Sequence, residues 1–132
     1  MQTHISFTPD FINPPPLQLP SREIGASVEF LGIVRELERG QPLAGLDYEA
    51  YIPMARQELA RLFTALQALH PCAEVVFIHR LGWVPVGEAS LFIRVLAAHR
   101  GEALRFLEAA IDRMKADVPI WKRSASAIYQ RK

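Results

Sequence analysis

Apolar residues recur along this chain in two periods, and the switches between them mark its elements. Val28, Phe30 and Val34 fall on one side of an alternating stretch from Ala26 to Arg35, the pattern of a buried strand. Leu46, Tyr48 and Ala50 alternate with Asp47 and Glu49, which predicts a half-buried strand. From Pro53 the period lengthens. Leu59, Leu62, Phe63, Leu66 and Leu69 follow the three-and-four spacing of an amphipathic helix, opened by Pro53 and ended by Pro71. Val75 to Ile78 is a short apolar strand. Ala89 to Ala98 is nearly continuous apolar sequence and predicts a central strand, with Arg94 read as facing solvent. Leu104, Leu107, Ile111 and Met114 predict a second helix over residues 101–115, and Val118 to Trp121 a last short strand.

The polar stretches read as connections. Glu36 to Gly45 carries Gly40, Pro42 and Gly45 and predicts a loop or hairpin. Leu81 to Gly87 holds two glycines and a proline and predicts a turn. Residues 1–24 hold five of the ten prolines, including Pro14-Pro15-Pro16, so a short edge strand near Ile5 to Phe7 is expected to run into an extended connector. A proline-rich ligand for a partner domain is the alternative for that segment. Ser124 to Lys132 has weak pattern and reads as a loosely held tail. Strands interleaved with two helices argue for an α+β, two-layer domain.

Composition narrows the function classes. At 132 residues, with 50% hydrophobic and 22% charged positions, the chain is ordinary globular sequence long enough for one domain with its own core. A formal charge of +1 gives no broad electrostatic footprint for nucleic acid. Apolar runs fall well short of the ~20 residues of a membrane span, and the N-terminus has no signal-peptide pattern. The single cysteine, Cys72, cannot form an internal disulfide, and a cytoplasmic protein is the simplest reading. Lysine occurs only as Lys115, Lys122 and Lys132, although arginine is common. Chance accounts for this as well as a site that needs a flexible primary amine, which arginine cannot replace.

Candidate chemistry gathers at the ends of the predicted elements. His79-Arg80 closes one strand, and His99-Arg100 closes another immediately before a helix. A helix N-terminus with an adjacent guanidinium makes an anion site, although each pair can equally be a strand end with a solvated arginine. Lys115 ends the second helix, a position the helix dipole favours in any case. Lys122 follows Pro119 and Trp121. Two ammonium groups near arginines suit a phosphorylated or otherwise anionic substrate, and their mutual repulsion favours a neutral amine on one of them. Metal-ligand spacings, a phosphate-binding glycine loop and a GxSxG elbow are all missing, so neither metal nor cofactor is expected. Cys72 reads as a small buried residue. Glu29, Glu49 and Glu88 have no spacing that pairs them.

A set of motifs taken together resembles one family. These are Gly25-Ala26, Phe30-Leu31-Gly32-Ile33-Val34-Arg35, Leu46-Asp47-Tyr48-Glu49-Ala50-Tyr51 and Pro53-Met54-Ala55. They continue through His79-Arg80-Leu81-Gly82, Val86-Gly87-Glu88, His99-Arg100 and Val118-Pro119-Ile120-Trp121-Lys122. In this order and spacing they resemble the molybdopterin synthase catalytic (large) subunit. The resemblance divides the chain into a proline-rich strand and connector (1–24), the family-like domain (25–123) and a short tail (124–132). It implies an α/β hammerhead fold with a mixed, mainly antiparallel sheet and two main helices.

It also implies a homodimer within a heterotetramer, each large subunit binding a small ubiquitin-like sulfur carrier through its C-terminal Gly-Gly thiocarboxylate. The implied reaction converts cyclic pyranopterin monophosphate to the molybdopterin dithiolene, in molybdenum cofactor biosynthesis. Matching positions make Lys115 and Lys122 the implied catalytic residues. Arg35, His99, Arg100 and Arg123 would bind the anionic groups, while Phe30 is read as core. Two departures stand out. Ser124 occupies a position that is usually glutamate in the family, and the tail lacks the family's glycine turn and tryptophan. They motivate the alternative of a non-catalytic paralogue that binds the carrier or another partner.

Overall fold

Tyr51, Ile52 and Pro53 show how local sequence sets an element boundary. Tyr51 is extended, and Pro53 lies in the first turn of a helix, where its missing N–H removes no intrahelical bond. The computed structural model describes residues 1–38 and 40–122. In chain order these form β1 (Gln2–Thr8), β2 (Ala26–Ile33), the hairpin β3 (Leu37–Glu38) and β4 (Gln41–Pro42), and β5 (Gly45–Ala50). Then come α1 (Ile52–Leu69), β6 (Glu74–Arg80), β7 (Gly82–Pro85), β8 (Ala89–Ala97), α2 (Arg100–Asp117) and β9 (Ile120–Lys122).

The architecture is α+β. A four-stranded sheet runs in the order β1-β6-β8-β2, parallel between β1 and β6 and antiparallel elsewhere. Both helices pack on one face of it. Val75, Phe77, Ile93 and Val95 of the sheet meet Leu59 and Phe63 of α1 and Phe106 and Met114 of α2 in the main core. A smaller antiparallel sheet, β7-β5-β9, stands beside it with its own cluster around Val34, Leu46 and Val84.

At the centre of the core the Phe63 ring lies 6.1 Å from that of Phe77 and 5.9 Å from that of Phe106, all three essentially inaccessible to water. Phe63 links both helices to the sheet. Truncating it removes that apolar area and leaves a void that rigid neighbours cannot fill. Phe63→Ala is therefore expected to destabilise the chain by about 3–5 kcal/mol. A urea-unfolding midpoint equal to the wild type's would contradict this packing.

Four expectations need correction. The stretch Leu81 to Gly87 is not only a turn. Gly82 (φ 86°) and Gly87 (φ 88°) take left-handed backbone at its ends, and between them Gly82–Pro85 forms β7, paired with β5. The inner face of α2 is rotated from the expected stripe. Ala103, Phe106, Leu107, Ala110 and Met114 face the core, while Leu104 is exposed, because the small alanines allow a close approach beside Phe106. Leu69, placed on the inner stripe of α1, is 68% exposed in its last turn.

Arg94 is the fourth. It is buried, and its Nε donates to Glu29 Oε2 at 2.6 Å from the directly opposed position on β2. Alternation does put Arg94 on the sheet face away from the helices. The connector after β1 covers that face, with Ile12 packed on Val76 and Phe92, and Pro15, Pro16 and Pro20 lining a cavity beside Arg94. The proline-rich segment thus packs against its own sheet.

Candidate active site

The site lies where the two sheets and the end of α2 converge. A bulge at Gly32/Ile33 shifts the register of β2 on β8 just before the last pair, Ile33↔Ala89, two residues ahead of Arg35. A pocket of about 570 Å³ opens there. Phe30 and Leu91 from the large sheet, Met114 from α2 and Ile120 from β9 give it an apolar wall. Arg35, Lys115 and Lys122 also line it, and all three are exposed. Among the described residues no carboxylate lines this pocket. Three cations lining one pocket beside an apolar wall make a receptor for an anion that also carries an apolar or ring portion.

Each cation has a local reason for its place. Lys115 stands in the last turn of α2, where a positive charge complements the carbonyl end of the helix dipole. Lys122 is carried by β9, which pairs with β5 through Tyr48↔Lys122 and Glu49↔Trp121. Val118 closes α2 with an extended backbone, Pro119 follows the helix, and the chain enters β9 at the next residue, Ile120. That short reversal brings the two lysines, seven positions apart in sequence, to one pocket.

The structure does not bring His99 and Arg100 to this pocket. His99 is the N-cap of α2 and Arg100 its first residue, both exposed. Lys115 is sixteen positions further along, roughly 24 Å at the helical rise per residue. One chain therefore presents two cationic groups at opposite ends of α2. Arg123 and Ser124, with the rest of the tail, lie outside the described residues.

The sequence reading missed Tyr48, His79 and Ser90 as pocket residues. His79 was singled out only as a strand-end pair with Arg80. It does close β6 with Arg80, and there it is buried on the core face, its ring set edge-on to Tyr48 with centroids 5.1 Å apart. Burial lowers its pKa, and a hydrogen bond to the Arg80 carbonyl partly opposes that shift. Arg80 itself turns to Glu88, Nη1 to Oε1 at 2.7 Å. Phe30 both packs on the main core and lines the pocket.

Cys72 is buried away from the pocket, its Sγ 3.2 Å from the His70 carbonyl oxygen. Desolvation first, and the charge of Glu102 second, push its thiol up to about 12. A thiolate is the reactive form, so this sulfur is inert at neutral pH. We expect iodoacetamide at about pH 8 to label Cys72 only after the chain is unfolded in urea. Ready labelling of the folded protein would contradict its placement. Among the described residues no group of three or more His, Cys, Asp or Glu side chains is placed to hold a metal ion. No helix among them is long and apolar enough to cross a membrane.

Comparison with known proteins identifies the family. The family profile described as MoaE protein matches residues 11–117, most of the chain. The chain belongs to the MoaE family. It is 42% identical over 99 residues to the molybdopterin synthase catalytic subunit of Homo sapiens, covering 75% of this chain and 53% of that protein. The chain thus spans about half the length of that curated relative. Its fold is similar to the crystal structure of molybdopterin synthase from Staphylococcus aureus, with a TM-score of 0.73 and 34% identity. That match covers 92% of this chain and 87% of the other. It is also similar to a chain of the complex of subunits 1 and 2 of molybdopterin-converting factor from Helicobacter pylori. There the TM-score is 0.63 and the identity 28%, over 76% of this chain and 66% of that one. The MoaE profile ends before β9, so it does not itself include Lys122.

Proposed function

We propose that this MoaE-family chain is a molybdopterin synthase catalytic subunit, a sulfurtransferase. It would move sulfur from the thiocarboxylated C-terminus of a small carrier protein to cyclic pyranopterin monophosphate. The observation that carries this reading is the pocket: Arg35, Lys115 and Lys122 line it together, beside an apolar wall and without a carboxylate. A thiocarboxylate and a phosphate are both anions, and a pterin is a flat ring system suited to the Phe30 and Leu91 wall. The relatives' names and the subunit complex of the Helicobacter pylori protein support the same assignment.

In this reading the sulfur arrives on the carrier, which agrees with an inert Cys72. Lys115 sits beside the donor's terminal carbonyl, where an ammonium stabilises developing negative charge and exchanges protons. Lys122 and Arg35 hold the substrate's anionic groups. His99 and Arg100, at the far end of α2, cannot join them within one chain. In a homodimer they serve the pocket of the second copy, at an interface that brings opposite ends of two α2 helices together. A cytoplasmic setting belongs to the same proposal and rests on the single, buried cysteine.

The reading is tested by titrating the protein with a sulfur carrier that retains its Gly-Gly tail and with one lacking it. The intact carrier should bind, and binding should weaken in high salt because the pocket attracts the tail by charge. Equal binding of the tail-less carrier would contradict use of this pocket.

A further inference from the structure

Three polar side chains in the pocket, Tyr48, His79 and Ser90, have no part in the chemistry described so far, and Ser90 Oγ already donates to the Gly32 carbonyl oxygen at 3.3 Å. His79 lines the pocket although it is 4% exposed. Its Nδ1 lies 2.8 Å from the backbone carbonyl oxygen of Arg80. A carbonyl oxygen only accepts, so Nδ1 carries the hydrogen and Nε2 carries a lone pair. The cations that share the pocket can only donate. They suit the substrate's anionic groups and offer nothing to its N–H groups.

We propose that His79 Nε2 is the acceptor that takes a hydrogen bond from an N–H or O–H of the bound pterin, and so fixes which way the ring faces in the pocket. This rests on the synthase reading and deepens it. The phosphate and the thiocarboxylate are placed by charge, which is non-directional. A single buried acceptor adds direction, because a ring bound the wrong way round leaves that acceptor desolvated and unpaired. The edge-on contact with Tyr48 and the bond to Arg80 hold the imidazole in one orientation before substrate arrives. The other titratable or charged groups facing the pocket are Tyr48 from β5, Arg35 after β2, Lys115 from α2 and Lys122 from β9, with Arg80 next in the chain. Burial opposes a proton on the ring and lowers its pKa, and the hydrogen bond to the Arg80 carbonyl offsets that only in part. The lone pair is therefore present at neutral pH.

The test measures the KM for cyclic pyranopterin monophosphate with saturating thiocarboxylated carrier, in wild type, His79→Phe and His79→Gln. Phenylalanine keeps the ring packing and has no acceptor, so its KM should rise by about ten- to a hundredfold with kcat much less affected. Glutamine offers an amide oxygen and should recover most of that loss. A pH series over about pH 5–8 adds a readout that packing alone would not move. Wild-type KM should rise on the acid side of 6.5 as Nε2 is protonated, and His79→Gln should lack that limb. If His79→Phe fails to fold, this comparison decides alone. An unchanged KM in His79→Phe, or identical acid limbs in wild type and His79→Gln, would overturn the inference. A wild-type protein that makes no product at all would instead overturn the synthase reading beneath it.

Discussion

Replacing Lys115 by alanine is expected to lower sulfur transfer by about 10²–10³-fold while leaving the fold intact. Lys115 is exposed and lies in the last turn of α2, outside the buried face made by Ala103, Phe106, Leu107, Ala110 and Met114. Its contribution to the helix is the dipole interaction, about 0.3–1 kcal/mol. That is small beside the ~5–15 kcal/mol that holds a domain together. Its contribution to the reaction is larger for a stated reason. Among the described residues the pocket lining holds three cations and no carboxylate, so the lining favours bound anions. Once the donor sulfur has bonded to the substrate, attack of water on the thioester carbonyl would develop negative charge beside the Lys115 ammonium, and its collapse would break the carbonyl carbon–sulfur bond and leave the carrier as a carboxylate. The check is molybdopterin formation alongside circular dichroism. Lost helix would show a structural lysine, and unchanged turnover would remove it from the mechanism.

The second large effect concerns the two ends of α2. Lys115→Ala and His99→Ala proteins should each be nearly inactive alone. Co-expressed with different tags and purified through both, they form dimers containing one chain of each kind. If each pocket uses its own Lys115 and its partner's His99, one pocket of the mixed dimer carries both defects and the other carries none. Such dimers should regain about half of the wild-type activity, as two-fold symmetry requires. If His99 served the pocket of its own chain, both pockets would be damaged and the mixture would stay inactive. The roughly 24 Å between the ends of the helix is what makes the first outcome the expected one.

Much of this was readable from residue pattern, and the failures have physical causes. The order of strands and helices, the central position of β8 and the edge position of β1 follow from alternation, apolar runs and prolines, which act locally. β7 was missed because glycine and proline mark a change of direction, yet they do not report the four residues between them that another strand can pair. Arg94 was misjudged because alternation assigns a side of the sheet and not what covers it. The cover came from the connector around Ile12, far away in sequence. Of the candidate site residues, Arg35, Lys115 and Lys122 do share a pocket. His99 and Arg100 had the right chemistry for an anion site, but motif reading carries no distances. His79 does stand at the end of β6, as the pattern implied, but its burial in the pocket depends on Tyr48 from a strand of the other sheet and could not be read from sequence.

The most direct test of the central claim is a single-turnover reaction. The full chain is mixed with thiocarboxylated carrier and cyclic pyranopterin monophosphate, and molybdopterin is followed as its fluorescent oxidised derivative. Product is expected from the wild type and almost none from Lys115→Ala. Carrier binding with no product from the wild type would contradict it, and would assign the pocket to carrier recognition without sulfur transfer.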